Sequence, residues 1–139
     1  MKSYTVFILL LTCISLIACK NKNTATQTTT IASIADLRKG DIVTCGPIKE
    51  QFGKVAFELS ATQKVKDSFN LALALLHSFE YEEAEKAFAK VIDMDPHCAM
   101  AYWGVAMSNF HPLWSPPNKE ELEKGAKASE IAASLKNEN

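Results

Sequence analysis

The chain resembles itself at an offset of 34 residues, and this internal repeat restricts its fold more than any other feature. The coinciding pairs are Phe69 and Trp103, Leu71 and Val105, Ala72 and Ala106, Leu73 and Met107, Leu76 and Phe110, and His77 and His111. Within each half, most of these residues recur at the three- and four-residue spacing of one helix face. A repeat of this period predicts helix-turn-helix units that stack on one another.

Periodic apolar residues predict four helices within residues 60–136, and this makes the chain mainly α. The predicted apolar faces are Val65, Phe69, Ala72, Leu73 and Leu76; Tyr81, Ala84, Phe88, Val91 and Ile92; Ala99, Tyr102, Trp103, Ala106 and Phe110; and Leu122, Ala126 and Leu135. The boundary signals are Ser60 with Gln63 before the first helix, Pro96 and Pro112 after the second and third, and Asn118 with Glu121 before the fourth. Each is a capping pair or a proline stop.

The repeat resembles the tetratricopeptide repeat (TPR), a helical hairpin that stacks into an α-α solenoid. Residues at that family's leucine, small, alanine, phenylalanine and proline positions are Leu71, Ala72, Ala84, Phe88 and Pro96. Ser68 departs from the family at its usual tryptophan position, whereas Tyr102 fills that position in the second repeat. The resemblance covers about residues 65–136 and implies two TPR-like hairpins with a concave protein-binding surface.

The amino-acid sequences of residues 77–84 and 97–104 are also similar to those of longer bacterial repeat proteins. Two interpretations stay open. The chain is either a complete module, with the charged fourth helix as its polar cap, or the N-terminal part of a longer TPR protein.

Residues 1–18 have the layout of a secretory signal peptide, with Lys2 before a short apolar stretch. The run Leu16-Ile17-Ala18-Cys19 resembles the lipobox of bacterial lipoproteins, in which the cysteine carries the lipid. This resemblance implies a lipid on Cys19 and membrane attachment through it. In lipoproteins of Gram-negative bacteria an aspartate at the next position commonly retains the protein at the inner membrane. The resemblance, with Lys20 at that position, therefore implies the outer membrane, on either its periplasmic or its surface face. Residues 19–34 are polar and threonine-rich, which predicts a flexible tether.

Residues 35–59 form a glycine-rich segment between the tether and the helices. Alternating apolar residues predict a small β-hairpin, with Ile42 to Thr44 as one strand and Val55 to Leu59 as the other. Cys45 lies in this segment and Cys98 lies between the second and third helices. An oxidising compartment permits a disulfide between them, and two free thiols are the alternative.

Composition and motifs exclude several function classes. Fifteen basic against sixteen acidic residues give a net charge of −1, which offers no electrostatic support for nucleic-acid binding. No recognised catalytic or cofactor motif occurs, so we expect neither an enzyme nor a cofactor. We expect an unknown protein partner instead. Its candidate groove residues are Asn70, His77, Asn109, His111 and Trp114.

Two further alternatives concern individual groove residues. His77 and His111 share a repeat position, so a metal or small-ligand site is the rival hypothesis, although no third ligand is evident. The proline-rich loop around Trp114 is either a partner site or a cover over Trp103 and Phe110.

Overall fold

A computed structural model of the protein describes residues 34, 36–47, 52–111 and 115–136. Helices account for most of this described part: α1 (Gln63–His77), α2 (Tyr81–Met94), α3 (Ala99–Asn109) and α4 (Lys119–Lys136). The predicted mainly helical fold is therefore confirmed. The predictions for residues 1–33, including the lipid on Cys19, lie outside the described residues. No described helix is both long and apolar enough to cross a membrane.

Each helix packs against the next one along the chain, and α3 also contacts α1. The short turns after α1 and α2 make these neighbours antiparallel. Phe69, Phe88 and Tyr102, from three successive helices, are fully buried at the centre of one core. The Tyr102 hydroxyl donates a hydrogen bond of 3.1 Å to the Pro96 carbonyl oxygen, so even this polar group is satisfied.

A glycine permits the close approach of α3 to α2. A Cβ atom on Gly104 would lie only 2.4–2.5 Å from ring atoms of Phe88. Such a distance is far inside van der Waals contact, so the Phe88 ring occupies the space that a side chain at position 104 would need. The absence of a side chain at Gly104 therefore allows α3 to pack directly against the Phe88 ring of α2.

The helix starts agree with the sequence at α4 but not at α1. The Asn118 N–H donates to Glu121 Oε2, and the Glu121 N–H donates to Asn118 Oδ1, both at 2.9 Å, so this capping box is confirmed. The predicted Ser60–Gln63 box is wrong. Thr62 is the N-cap of α1 and makes no side-chain cap bond, while the Gln63 amide donates to Asp67 instead.

The buried side of α4 agrees with the prediction at Leu135 but not at Leu122 and Ala126. Ala128, Ile131 and Leu135 face the core, whereas Leu122 is 47% exposed and Ala126 is exposed. Small residues make up much of this helix, so its apolar periodicity is weak and the sequence does not discriminate between its faces.

The predicted N-terminal β-hairpin is absent from the described residues. Residues 36–47, here called the arm, and residues 52–59, the strap, contain neither helix nor strand. Their backbone donors bond to helix side chains instead of to each other. The Val43 N–H donates to Glu83 Oε2 (2.8 Å), and the Phe57 N–H donates to Asn70 Oδ1 (3.0 Å). These partners replace the ladder that two paired strands would form.

Candidate functional site

The carboxylate of Glu85, on α2, is the polar centre of the structure. Glu85 is only 2% exposed. Its Oε1 accepts hydrogen bonds of 2.9 Å from both the Arg38 N–H and the Lys124 ammonium. Its Oε2 accepts one of 3.2 Å from the Asn109 amide and lies 3.4 Å from Arg38 Nε. A buried charge is tolerated only when it is paired, and here one carboxylate joins the arm, α3 and α4.

A polar cavity of about 200 Å³ lies beside this cluster. The residues that line it include Arg38, Glu85, Ser108, Asn109 and His111. Each of these five side chains makes a hydrogen bond or an ion pair, and in the described part of the chain no fully buried side-chain nitrogen or oxygen lacks a partner. We therefore interpret the Glu85 cluster as a structural connection between the arm and the helices.

His111 ties the end of α3 to the start of α4. Its Nδ1 lies 2.7 Å from the Ser115 carbonyl oxygen and its Nε2 lies 3.3 Å from Glu121 Oε1. Both ring nitrogens thus face acceptors, an arrangement that favours the doubly protonated ring. Burial by itself lowers the pKa of His111, but these two acceptors outweigh it, so the pKa is raised above its ordinary value.

The carboxyl group of Glu121 shifts in the opposite direction. The Asn118 N–H, with the neighbouring His111 ring, holds its pKa below the ordinary value. The same carboxylate therefore caps α4 and pairs with the imidazole. Both residues favour their charged forms in the folded protein.

The structure describes four of the five groove residues expected from the sequence. Asn109 and His111 line the polar cavity together, where Asn109 is buried under Glu85. Asn70 lies on α1 and holds the strap through Phe57. His77 is exposed at the end of α1, and Trp114 lies outside the described residues.

The structure adds no support for the metal alternative. The part of the chain that it describes contains no group of three or more His, Cys, Asp or Glu side chains placed to hold an ion. Cys45 and Cys98 are unbridged in the structure. Cys98 is buried, and this burial raises the pKa of its thiol.

An exposed apolar row on α3 is the feature that sequence reasoning missed. Trp103, Met107 and Phe110 are 36%, 36% and 52% exposed. Trp103 and Met107 lie four residues apart on α3, and Phe110 follows three residues later as the C-cap, so the three share one side of the helix. The prediction that Trp103 and Phe110 belong to the core-facing side of α3 is wrong. Ala101, Tyr102 and Val105 are buried on the other side of α3. Because α3 is apolar on nearly all sides, its sequence pattern does not predict which side is buried.

The α3 row opens at one end into a mainly apolar groove of about 790 Å³. Met100 and Trp103 contribute one wall of the groove, Ala132 of α4 contributes another, and Leu59 closes the side next to the strap. The α3 row and its groove are therefore the candidate site.

Comparison with known proteins does not identify the chain. No family model, no curated protein and no solved structure matches it.

Proposed function

We propose that this protein is a lipid-anchored, TPR-like interaction module of the bacterial cell envelope that binds a protein partner through the α3 row. The single observation that carries the proposal is the exposure of Trp103, Met107 and Phe110 on one helix face. Aromatic residues and methionine are enriched in the cores of protein interfaces, and a contiguous apolar patch on a small domain is a common mark of such a site.

The helix packing supports the TPR-like part of the proposal. Each helix packs against the next one along the chain, and α3 contacts both α1 and α2. The small residue Gly104 lies directly against the Phe88 ring of α2. This is the arrangement expected when one helical hairpin stacks on the next.

Site-specific photo-crosslinking tests the binding function in living cells. A photoreactive residue is placed at Met107, and the matched control carries it at Leu122, an exposed apolar residue on α4. We expect a discrete protein adduct from Met107, identified by mass spectrometry, and none from Leu122. Equal labelling from both positions, or no adduct from Met107, would contradict an interface on α3.

Metabolic labelling tests the anchor. The lipobox resemblance of residues 16–19 supports a lipid on Cys19, and stable attachment requires more than one acyl chain. Cells fed an alkyne fatty acid should label the wild-type chain and the C45A control but not C19A. Labelling of C19A at the wild-type level would remove the lipoprotein proposal.

A further inference from the structure

The arm lies against α2 and is held there largely by ionic contacts. The Arg38 guanidinium lies 3.1 Å from a carboxylate oxygen of Glu82, and the Lys39 ammonium lies 2.6 Å from Asp93 near the end of the helix. These four side chains are 38–66% exposed, and no residue of the arm is buried. Exposed ion pairs are individually weak and are screened by salt, so this hold on the arm depends on ionic strength.

Apolar contacts fix the chain on both sides of the arm. Ile34, before it, is buried in the core, and Phe57 of the strap, after it, packs on Phe69 with 5.4 Å between ring centroids. Within the arm, Leu37 and Ile42 contact the core but stay half-buried. Segments with little buried apolar surface open at the lowest free energy. The arm is therefore the weakest part of this stretch, between two firmer attachments.

The carboxylates that hold the arm keep other partners when it leaves. Glu83 and Glu85 each accept one backbone N–H of the arm. Glu85 also accepts hydrogen bonds from Lys124 and Asn109, and Glu83 also pairs with Lys86 at 2.8 Å. The large cost of breaking a buried ion pair arises when a charge is left without any partner. Opening of the arm leaves no such charge on α2.

The arm closes the space between α2 and α4, two helices that make little direct contact. A cavity of about 520 Å³ lies along α4 and the cavity of about 200 Å³ lies beside α2, and Arg38 and Glu121 line both. The Asp36 carbonyl oxygen accepts a hydrogen bond of 2.9 Å from the Lys124 ammonium. Movement of the arm therefore joins the two cavities and uncovers Lys124.

We propose that the arm is a salt-sensitive lid over the space between α2 and α4, which opens while α1 to α4 stay folded. The ionic contacts with α2 keep it closed, and rising ionic strength weakens them. Arg38 and Lys39 determine the response, because they supply the cations of the exposed pairs. This conformational change is separate from partner binding on the α3 row.

Amide hydrogen exchange of the full chain, measured by NMR at constant pH, tests the lid. The reporters are the N–H groups of Arg38 and Val43, which Glu85 and Glu83 bind in the closed form. Raising NaCl from about 0.02 M to about 0.5 M should accelerate their exchange about fivefold to tenfold, because two exposed ion pairs are screened. The N–H of Phe88, within α2, should exchange at an unchanged rate.

Two double variants test the cause of the response. R38Q/K39Q should exchange rapidly at both salt concentrations, with no further acceleration by salt. K64Q/K90Q removes two exposed lysines of α1 and α2, so it has the same net charge and should keep the wild-type response. Circular dichroism confirms that the variants stay helical. If R38Q/K39Q does not fold, the salt titration of the wild-type chain decides.

Lysine acetylation shows whether the space itself opens. The side chain of Lys124 is 10% exposed and that of Lys119 is 88% exposed. Labelling of Lys124 relative to Lys119 should rise with salt, in parallel with exchange at Val43. The inference is overturned if the arm amides exchange only together with Phe88, if R38Q/K39Q keeps the salt response, or if Lys124 labelling stays constant.

Discussion

The ammonium of Lys124 lies 2.9 Å from the Glu85 carboxylate, and the two side chains are only 10% and 3% exposed. This pair joins α2 to α4, two helices that make little other contact. Asn109 of α3 and Arg38 of the arm bind the same carboxylate, so Glu85 links α2 to the arm and to α4, which helical packing alone does not join to it.

Removal of the Lys124 ammonium should destabilise the fold. K124M leaves Glu85 buried with one partner fewer, and we expect a loss of about 3 kcal/mol in the free energy of unfolding. Urea denaturation of the full chain measures it. The control is K119M, whose exposed partner Glu123 lies 3.6 Å away, and it should change stability by less than about 0.5 kcal/mol. Equal effects of the two substitutions would contradict the role of the Glu85 cluster.

An alanine at position 104 should destabilise the protein, even though this position lies within a helix. G104A gains helix propensity, but its Cβ overlaps the Phe88 ring, so we expect a net loss of about 1–3 kcal/mol. In G125A the nearest atom is the Ala106 carbonyl oxygen at 3.4 Å, so this control should be neutral or up to about 1 kcal/mol more stable. Thermal unfolding compares them. A stable G104A would show that α2 and α3 are not held at this distance.

The Asn118 cap should contribute measurably to α4. N118A removes the acceptor for the Glu121 N–H and should cost about 1 kcal/mol. T62A is the matched control, because Thr62 is also an N-cap but makes no side-chain cap bond. Chemical denaturation of both variants should separate them, and a loss in T62A as large as that in N118A would contradict this difference.

Stability should depend on pH through His111 and Glu121. The folded-state pKa of His111 lies above 6.5, so its contribution is complete below 6.5 and is lost as pH rises through the folded value. The folded-state pKa of Glu121 lies below 4.5, so its contribution is complete above 4.5 and is lost as pH falls through the folded value. The pair is therefore strongest between these two ordinary values.

Urea midpoints measured from about pH 6 to about pH 8.5 check this dependence. The wild-type midpoint should fall over this range, and H111Q should flatten the curve. H77Q, at the exposed end of α1, should keep the wild-type slope. An unchanged slope in H111Q would show that another group causes the dependence.

The strap should detach when its aromatic anchor is removed. F57A loses the contact with Phe69 and weakens the hold of Asn70 on the backbone. We expect faster tryptic cleavage after Lys54, which is exposed within the strap. Cleavage after Lys90, an exposed residue within α2, serves as the internal control and should not accelerate. A parallel rise at both sites would indicate global destabilisation rather than local release.

Local signals in the sequence account for what was predicted correctly. The apolar spacing around Phe69 and Phe88 gave the helices of the first pair, and Asn118 with Glu121 gave the start of α4. These features involve residues within one or two helical turns, where backbone geometry dictates the pattern. The same rules did not place the arm and strap, whose alternation predicted strands, because their hydrogen-bond partners lie on helices elsewhere in the chain.

The sequence by itself determined that this protein is mainly helical, and where several of its helices begin and end, because helix formation depends on neighbours a few residues away. Tertiary structure alone decided the partners of Glu85, which come from 47, 24 and 39 residues away. It also decided that the row of Trp103, Met107 and Phe110 is open while its equivalent on α1 is buried. Whether a helix face is exposed depends on which distant segment packs against it. When a helix is apolar on all sides, its own sequence does not predict which side is buried.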